Sequence, residues 1–381
     1  MDIDINKLAL DLHKRLKGKL EVTPKIQIKD KRDLSLVYTP GVAAVSTHLA
    51  KNKNDTNDYT SRGNLVAVIS DGSAVLGLGN IGPEGALPVM EGKCVLFKHF
   101  AGIDAIPIVL STQDPQKIIE TVLAIAPSLG GINLEDIKAP GCFVIEETLR
   151  ERLSIPVIHD DQWGAAVVVL AGLINSLKIT RREIHETKIV ISGAGAAGSS
   201  IVKMLYSKGA RNILVCDRDG IIYDSRPDNT SHKQELAQIT NPMKQKGTLG
   251  DALVNADVFV GVSSPGLVSE DMVRSMNKQS VVFALANPVP EIMPDLAKKA
   301  GAYIIATGRS DYPNQVNNAL AFPGIFRGVL DSGIKKVTIE ILMRVAESLS
   351  LLMKNPTPEE IIPSIFDKRV IKSVARSIKD Y

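Results

Sequence analysis

Two pairs of adjacent carboxylates are the residues whose type and spacing first suggest chemistry in this sequence. Glu135 and Asp136 adjoin one apolar run, and Asp160 and Asp161 follow another. Ligands of α/β proteins gather beyond the carboxyl ends of strands, so both pairs stand where a ligand would bind. Carboxylates without a His or Cys partner favour a hard cation, Mg²⁺ or Mn²⁺, over zinc. Paired acids also occur as solvated turn residues, and spacing alone leaves both interpretations open.

Lys93 and Tyr38 are two residues that could move protons. Lys93 lies between a glycine and an apolar run, and burial there would favour loss of its proton and make it a base near neutral pH. Tyr38 precedes Pro40 and Gly41, which fix the local backbone, and a phenol can serve as a general acid. Most lysines and tyrosines are solvated surface residues, so spacing does not decide the role of either.

The stretch 188–198 has the sequence of a dinucleotide-binding turn, G-x-G-x-x-G, after a β-branched run. Gly193 permits the tight turn, Gly195 lets the backbone approach a pyrophosphate, and Gly198 allows close packing of helix on strand. The residues between them are Ala194, Ala196 and Ala197. The next hydrophobic run ends in Asp217, placed to accept from a ribose hydroxyl, and Arg218 follows it.

A second G-x-G-x-x-G pattern occupies residues 77–82 but lacks this context. Pro83, Glu84 and Gly85 come before any helical pattern, and no acid ends the next strand-like run. The second pattern therefore predicts no dinucleotide site. It either shapes a neighbouring pocket or is a plain tight connection, and glycine spacing does not separate the two.

Three asparagines follow the last strand-like runs. They are Asn287, which precedes a proline, and the pair Asn317 and Asn318. Amides at strand ends can orient a nicotinamide or a carboxylate substrate. Turn formation is the alternative explanation of the Asn-Pro pair.

The periodicity of the chain predicts an α/β protein that holds these residues at strand ends. An amphipathic helix is expected at 5–16, and an apolar helix at 164–177 connects two α/β regions. In the first region, strands are expected at 65–69, 105–110 and 155–158. Helices are expected in the same region at 84–98, 115–126 and 145–152. The second has the spacing of a doubly wound parallel sheet, with strands expected at 188–192, 212–216, 257–262, 280–285 and 302–306. We place domain bounds at 1–163, 164–308 and 309–381.

Composition describes a large globular chain with a nearly balanced surface. The 381 residues carry a formal net charge of +3, with 23% charged and 44% hydrophobic residues, and no charge block suggests nucleic-acid binding. The three separated cysteines form neither a disulfide framework nor a metal motif. The first residues do not resemble a signal peptide, and the apolar stretch 164–177 is too short to span a bilayer. We expect a cytoplasmic protein without membrane or nucleic-acid partners.

Taken together in chain order, these motifs resemble the malic enzymes, and most closely the short prokaryotic form. The resemblance runs from about residue 20 to about residue 330. It rests on the segments 37–42, 70–80, 91–93, 134–136, 159–162 and 188–198 and on the three asparagines. It implies an N-terminal malic-enzyme α/β domain and a Rossmann-type doubly wound parallel-sheet domain, with the C-terminal helices packing back on the first domain and completing the active-site cleft. A homodimer or a higher homo-oligomer is also implied.

The resemblance further implies oxidative decarboxylation of (S)-malate to pyruvate and CO₂ with reduction of NAD(P)⁺. Glu135, Asp136 and Asp161 would hold a divalent metal, Mg²⁺ or Mn²⁺, against the malate. Lys93 would take the C2 hydroxyl proton with Asp160 tuning it, and Tyr38 would protonate C3 of enolpyruvate. The substrate would also contact the three amides, Asn287, Asn317 and Asn318.

The chain departs from larger members of the family in one substrate contact. Those members carry an Arg in the Asp-Gly-x-x segment, where this chain has Asp71, Gly72, Ser73 and Ala74. The malate carboxylate must therefore be bound by Ser73, by backbone N–H groups or by the metal. The sequence does not decide among these three.

The sequence leaves alternatives open for both the coenzyme and the type of reaction. Asp217 would repel a 2′-phosphate and favours NAD, whereas Arg218 and Arg226 could accommodate NADP. Alternative activities are malolactic conversion of malate to lactate and CO₂, an amino-acid dehydrogenase that needs no metal, and a non-catalytic NAD-binding sensor.

Overall fold

The computed structural model describes residues 4–75 and 77–381, and its chain begins with four helices that precede the first sheet. These helices are α1 (Ile5–Leu16), α2 (Lys31–Val37), α3 (Val42–Lys51) and α4 (Thr56–Tyr59). The helix expected at 5–16 is confirmed, and the Asp4 carboxylate accepts from the backbone N–H groups of Asn6 and Lys7 at its start. No residue from 4 to 64 is buried.

The first sheet has four parallel strands. They are β1 (Leu65–Ser70), β2 (Asp104–Val109), β3 (Gly131–Leu134) and β4 (Val157–His159), in the order β2-β1-β3-β4. The helices between them are α5 (Gly82–Ala101), α6 (Pro115–Ile125) and α7 (Gly141–Arg152). The sequence pattern missed β3, because its four residues include a glycine and a polar Asn133. The register places Leu134 beside His159, so the residues that follow β3 and β4 lie at one edge.

The second sheet is the expected doubly wound parallel sheet, with one short antiparallel edge. Its strands are β5 (Ile189–Ser192), β6 (Ile213–Asp217), β7 (Gly220–Ile221), β8 (Val258–Gly261), β9 (Val281–Ala284) and β10 (Ile304–Thr307). Their order is β10-β9-β8-β5-β6-β7, and only the edge strand β7 runs antiparallel to its neighbour. The order reverses at β5, which is where such sheets bind ligands.

Nine further helices of the described chain cover the second sheet and join it to the first. The first of them, α8 (Asp160–Thr180), begins at the end of β4 and leads into the second domain. The others are α9 (Ala196–Ser207), α10 (Ser231–Ile239), α11 (Leu249–Leu253), α12 (Glu270–Arg274), α13 (Pro294–Lys299) and α14 (Phe322–Ser332), and the C-terminal pair α15 (Ile339–Leu351) and α16 (Arg369–Lys379) completes the set. Because α8 runs without a break through residues 163 and 164, the domain bounds stay a prediction.

The C-terminal helices pack back on the first domain, as expected. The Phe97 ring of α5 makes edge contacts with Phe322 and Phe326 of α14, at 4.9 and 5.2 Å between ring centroids. Arg327 of α14 also donates to the Asn64 side chain at 2.8 Å. The helix α15 packs on α8, and one hydrophobic core continues through these helices and both domains.

One helix of the described chain, α8, is long and apolar enough to pass a test of length and composition for a membrane span. It is longer than the expected apolar stretch 164–177. However, 72% of its most apolar window is buried inside the protein, which is the behaviour of a core helix.

Candidate active site

The two acidic pairs meet at the carboxyl edge of the first sheet. Glu135 and Asp136 follow β3 directly, while Asp160 and Asp161 open α8 directly after the adjacent strand β4. One carboxylate oxygen each of Glu135, Asp136 and Asp161 lies within 4.8 Å of the other two. The backbone N–H of Asp136, a residue in the left-handed region with φ of 53°, donates to Asp161 Oδ2 at 2.8 Å. The structure therefore brings together the acids that the sequence singled out.

Lys93 reaches this edge from α5 and is almost fully buried, at 8% exposure. Its Nζ lies 2.5 Å from Asp160 Oδ2 and 2.8 Å from Glu135 Oε1, and 4.1 Å from the centroid of the Phe322 ring. Burial by itself lowers the pKa of Lys93, but the two carboxylates outweigh burial and raise it above its ordinary value. The expectation of a lowered pKa was wrong, because it took account of burial and not of these two ion pairs.

Negative charge is concentrated at this edge. Burial raises the pKa of Glu135 well above its usual range. Lys93 lowers this pKa, whereas the negative charges of Asp161, Asp160 and Asp136 raise it further. Burial likewise raises the pKa of Asp160, against the effect of Lys93. The Lys93 ammonium pairs with two of these four carboxylates, and the buried Oδ1 of Asp160 has no hydrogen-bond partner within the described chain. Such an all-oxygen, net negative donor set fits a hard divalent cation.

Three residues that sequence analysis missed contact a carboxylate of the site, the start of α8 or Lys93. The buried Asn133 donates to Glu135 Oε2 at 2.8 Å. Glu146 of α7 accepts from the backbone of His159 and from the side chains of Gln162 and Trp163 at 3.0 to 3.1 Å. Phe322 covers the Lys93 ammonium. A polar Asn inside an apolar run, just before the acids, was the available signal for Asn133; the other two contacts depend on tertiary packing.

The three candidate amides lie in different surroundings. Asn318 donates to Asp160 Oδ2 at 2.6 Å and therefore belongs to the Lys93 cluster. The side chain of Asn317 accepts from the N–H of Ala319 at 2.9 Å and caps a short helical turn. Asn287 is half-buried, and its amide donates to the Leu285 carbonyl at 3.3 Å. The structure thus joins only Asn318 directly to the acids.

The second glycine-rich loop borders the carboxylate cluster. The N–H of Ala74 donates to the Asp136 carbonyl at 3.0 Å, and the backbone at Gly77 lies so close to the Asn287 carbonyl that a Cβ would overlap it. These contacts place the loop beside the cluster, and its pocket-shaping role stays a prediction. The Ser73 hydroxyl donates to Asp71 at 2.6 Å and accepts from the Lys138 N–H at 2.9 Å. The hydroxyl proton of Ser73 is therefore already engaged in a hydrogen bond within the chain.

The dinucleotide motif lies between β5 and α9. Gly193 has a φ of 115°, and a Cβ on Gly198 would overlap the Gly193 carbonyl, so both positions require glycine. A Cβ on Gly195 would meet no atom within 4 Å, which leaves open space above the backbone at the start of α9. The Ala196 and Ala197 N–H groups therefore begin a helix that faces open space, which is a geometry suited to phosphate.

Asp217 ends β6 but is already paired. Arg226 donates to both of its oxygens, and Lys233 donates to Oδ2 at 2.6 Å. Burial opposes ionisation, yet these two cations lower the pKa of Asp217 to about 2. Arg218 is 92% exposed on its side chain and pairs only with Asp219, at 3.5 Å. The cations beside the ribose position are therefore Arg226 and Lys233, and Lys233 was missed by sequence analysis.

Tyr38 is a candidate that forms no hydrogen bond with the Lys93 cluster among the described residues. It follows α2, its side chain is 67% exposed, and its phenol makes no hydrogen bond to any described residue. The buried Lys93 cluster and the exposed Tyr38 thus lie in separate surroundings within one chain.

Comparison with known proteins matches the whole arrangement to one family. A model described as the malic enzyme N-terminal domain matches residues 17–116, and a model described as the malic enzyme NAD-binding domain matches residues 163–380. The bifunctional malic/malolactic enzyme of Bacillus subtilis is 51% identical over 373 residues, covering 97% of this chain and 91% of its own. An NADP-dependent malic enzyme of Halomonas elongata is 49% identical, covering 94% and 85%. The crystal structure of an NAD-dependent malic enzyme from Thermotoga maritima overlays with a TM-score of 0.95 at 51% identity, covering 97% and 98%.

Proposed function

The chain belongs to the malic enzyme family, and from that membership we propose that it oxidatively decarboxylates (S)-malate to pyruvate and CO₂ while reducing NAD(P)⁺. The observation that carries this proposal is the buried contact of Lys93 with Asp160 and Glu135 beside a cluster of three carboxylates. A base, a cation site and a dinucleotide turn are the three parts that this reaction needs.

Glu135, Asp136 and Asp161 are the residues that would hold the divalent metal, Mg²⁺ or Mn²⁺. When bound, such a cation supplies a Lewis acid that stabilises negative charge on the C2 oxygen of the substrate. Glu135 is both a candidate metal ligand and a partner of Lys93 at 2.8 Å, so it would place the amine directly beside the cation site.

In this mechanism Lys93 accepts the proton of the C2 hydroxyl as hydride leaves C2 for the nicotinamide. Asp160 holds the ammonium that forms, and Asn318 fixes Asp160 through its amide. Loss of CO₂ leaves enolpyruvate, and Tyr38 gives the proton that C3 needs. Asn287 and Asn317 are proposed to orient the substrate and nicotinamide from the border of the site.

We propose NAD⁺ as the preferred coenzyme. Asp217 keeps a negative charge at the end of β6, and the two cations beside it are balanced by Asp217 and by Asp228, which lies 2.8 Å from Arg226. A 2′-phosphate would therefore meet no net positive charge. We expect Asp217→Asn to raise the ratio of kcat/KM for NADP⁺ to that for NAD⁺ by about 10-fold or more, since it removes the carboxylate that pairs with both cations. An unchanged ratio in initial-rate assays would contradict this assignment.

The proposed activity is tested by initial rates of coenzyme reduction with malate and Mn²⁺. We expect activity that excess EDTA abolishes and Mn²⁺ restores, whereas activity retained in EDTA would favour an amino-acid dehydrogenase. Lys93→Ala should lower kcat by about 100-fold or more, because it removes the base. Lys98→Ala is the matched control on the same helix, where Lys98 only pairs with Asp104 at the surface. Equal activity in both variants would contradict the assignment of Lys93.

Malolactic conversion is the second candidate, and the name of the Bacillus subtilis relative favours it specifically. That reaction keeps the coenzyme bound and releases lactate instead of pyruvate with free NAD(P)H. Measuring NAD(P)H, pyruvate and lactate from the same reaction separates the two activities. A dinucleotide-binding sensor would bind NAD without consuming malate.

A further inference from the structure

Glu291 is a buried carboxylate for which the proposed reaction has no use. It lies in the loop that follows β9 and contains Asn287, and its surface is fully buried. No lysine, arginine or histidine of the described residues forms an ion pair with it. Burial raises the pKa of Glu291, and the N–H donors around its carboxylate act in the opposite direction. Burial of a carboxylate is unfavourable unless hydrogen bonds compensate it, so the contacts of Glu291 indicate what it does.

The carboxylate of Glu291 joins the β8 loop, residues 262–268, to the β9 loop, residues 285–291. Its Oε1 accepts from the backbone N–H of Ser263 at 2.9 Å, and its Oε2 accepts from the N–H of Ala286 at 3.1 Å. A Cβ on Gly261, the last residue of β8, would overlap the carboxylate, so the end of the strand leaves room for it. One side chain therefore fixes where both loops leave the sheet.

The β8 loop also contacts the dinucleotide turn. The hydroxyl of Ser263 lies 2.9 Å from the hydroxyl of Ser192, the last residue of β5. A Cβ on Gly193 would come 2.7 Å from the Val262 carbonyl, so the turn packs directly on this loop. Contacts therefore run from Glu291 through the β8 loop to the first glycine of the dinucleotide motif.

The strand order places both loops on one side of the dinucleotide turn. The turn follows β5, and β6, the neighbour of β5 on one side, ends in Asp217 at the ribose position. On the other side of β5 lie β8 and then β9. A dinucleotide spans the switch point of such a sheet, so the half that is not over β6 belongs over β8 and β9. The β9 loop also carries Asn287, whose carbonyl borders Gly77 of the first domain.

We propose that Glu291 is a positioning residue for the nicotinamide half of the coenzyme. The inference rests on the proposed function, in which the nicotinamide accepts hydride from malate. Glu291 fastens the β8 and β9 loops to each other, and through Ser263 it fastens both to the dinucleotide turn. It thereby sets where the nicotinamide half and the Asn287 amide lie relative to each other. The ADP half of the coenzyme, over β6, does not depend on Glu291.

Binding of NADH and of ADP, each measured by calorimetry without malate, tests this role. We expect Glu291→Gln to raise the Kd of NADH by about 10-fold and to leave the Kd of ADP within about twofold, because the new amide group would oppose the N–H of Ala286 or of Ser263. Equal weakening of both ligands would show that Glu291 acts only through the fold. That result, or unchanged binding of NADH, would overturn the proposal.

Two further variants complete the binding experiment. Glu270→Gln is the matched control, because Glu270 also follows β8 but pairs with Arg274 and Lys299 at the protein surface, and it should change neither Kd. Ser263→Ala removes the hydroxyl that reaches the dinucleotide turn and should raise the Kd of NADH alone, by about 3-fold. If Glu291→Gln does not fold, Ser263→Ala decides the question. Wild-type binding of NADH by that variant would then overturn the proposal.

Hydrogen exchange in the ligand-free protein measures the two loops directly. In Glu291→Gln we expect the amides of residues 262–268 and 285–291 to exchange about 10-fold faster than in the wild type, because their shared acceptor is lost. The helix α10, beyond β6, should keep its wild-type exchange. Unchanged exchange in both loops would overturn the inference. A protein that shows the expected binding and exchange but does not oxidise malate would overturn only the proposed function.

Discussion

At the scale of single residues, the proposed site would divide its carboxylates between the Lys93 ammonium and a divalent cation. Lys93 pairs with Glu135 and Asp160, and Glu135 also lies within metal-ligand distance of Asp136 and Asp161. The cation is therefore expected to stabilise the folded protein as well as to serve the reaction, because it relieves repulsion among buried charges.

This charge balance predicts selective stabilisation by metal. Saturating Mn²⁺ should raise the Tm of the wild-type protein by several degrees, since a ligand at 100 times its Kd adds about 2.7 kcal/mol. Asp136→Asn should abolish most of that rise. Asp228→Asn is the control, because Asp228 belongs to the other acidic group with metal-like spacing, Asp217, Asp219 and Asp228. Thermal melts in which Asp228→Asn loses the effect and Asp136→Asn keeps it would refute the assignment.

Asp217 carries a prediction about pH. Its folded pKa of about 2 lies below the ordinary 3.8, so ionised Asp217 stabilises the fold above pH 4, and this contribution is lost as the pH falls toward 2. The shift corresponds to at most about 2 kcal/mol, reduced by screening at the sheet edge. Urea unfolding of the wild type and Asp217→Asn should differ most above pH 5, and the difference should shrink below pH 4. A difference independent of pH would contradict the ion pairs.

The sequence identified the residues of the candidate site where both the residue type and the neighbouring sequence pattern indicated a role. Glu135, Asp136, Asp160 and Asp161 follow short apolar runs, and the structure joins them at one sheet edge. Phe322 could not be found, because its contact with Lys93 depends on how α14 packs against α5. Arg226 was identified as a candidate, but Lys233 could not be found, because its contact with Asp217 depends on where α10 lies relative to β6.

At the scale of elements, α8 links the chemistry to the core. Its first turn carries Asp160 and Asp161, and the rest of the helix is buried between the two domains. Gly164 lies one turn after Asp160, and a methyl group there would overlap Asp160 Oδ1. Gly172 lies deeper, where a Cβ would come 3.3 Å from the Phe283 ring.

These two glycines predict opposite effects of the same substitution. Gly164→Ala should lower kcat by about 100-fold by displacing Asp160 from Lys93, with little loss of Tm, since alanine favours helix. Gly172→Ala should keep kcat and lower the stability by about 1–3 kcal/mol through overpacking against Phe283. Initial rates and thermal melts of the two variants provide the measurement. Equal loss of activity in the two variants would contradict this prediction. It would show that the Gly164 substitution lowers activity only by destabilising the fold.

The elements themselves were predicted unevenly. The strands of the second sheet could be predicted because buried parallel strands are continuous apolar runs that end in turn residues. In contrast, β3 has only two large apolar residues, and its Asn133 is buried because its amide donates to Glu135. The pattern therefore missed the strand that positions two of the metal-binding candidates.

At the scale of the whole molecule, burial is unequally distributed. Both sheets, α8 and the C-terminal helices share one core, while residues 4–64 contribute no buried residue to it. Amphipathic spacing predicted α1 correctly, but the apolar side chains of α1 are exposed in the folded chain.

The most direct test of the account is the product stoichiometry of one reaction. Uniformly ¹³C-labelled (S)-malate, Mn²⁺ and NAD⁺ would be followed by NMR for carbon products and by absorbance for NADH. We expect one pyruvate and one CO₂ for each NADH formed, and no lactate. Lactate without net NADH would contradict the account in favour of malolactic chemistry, and unchanged malate with bound NAD⁺ would contradict catalysis altogether.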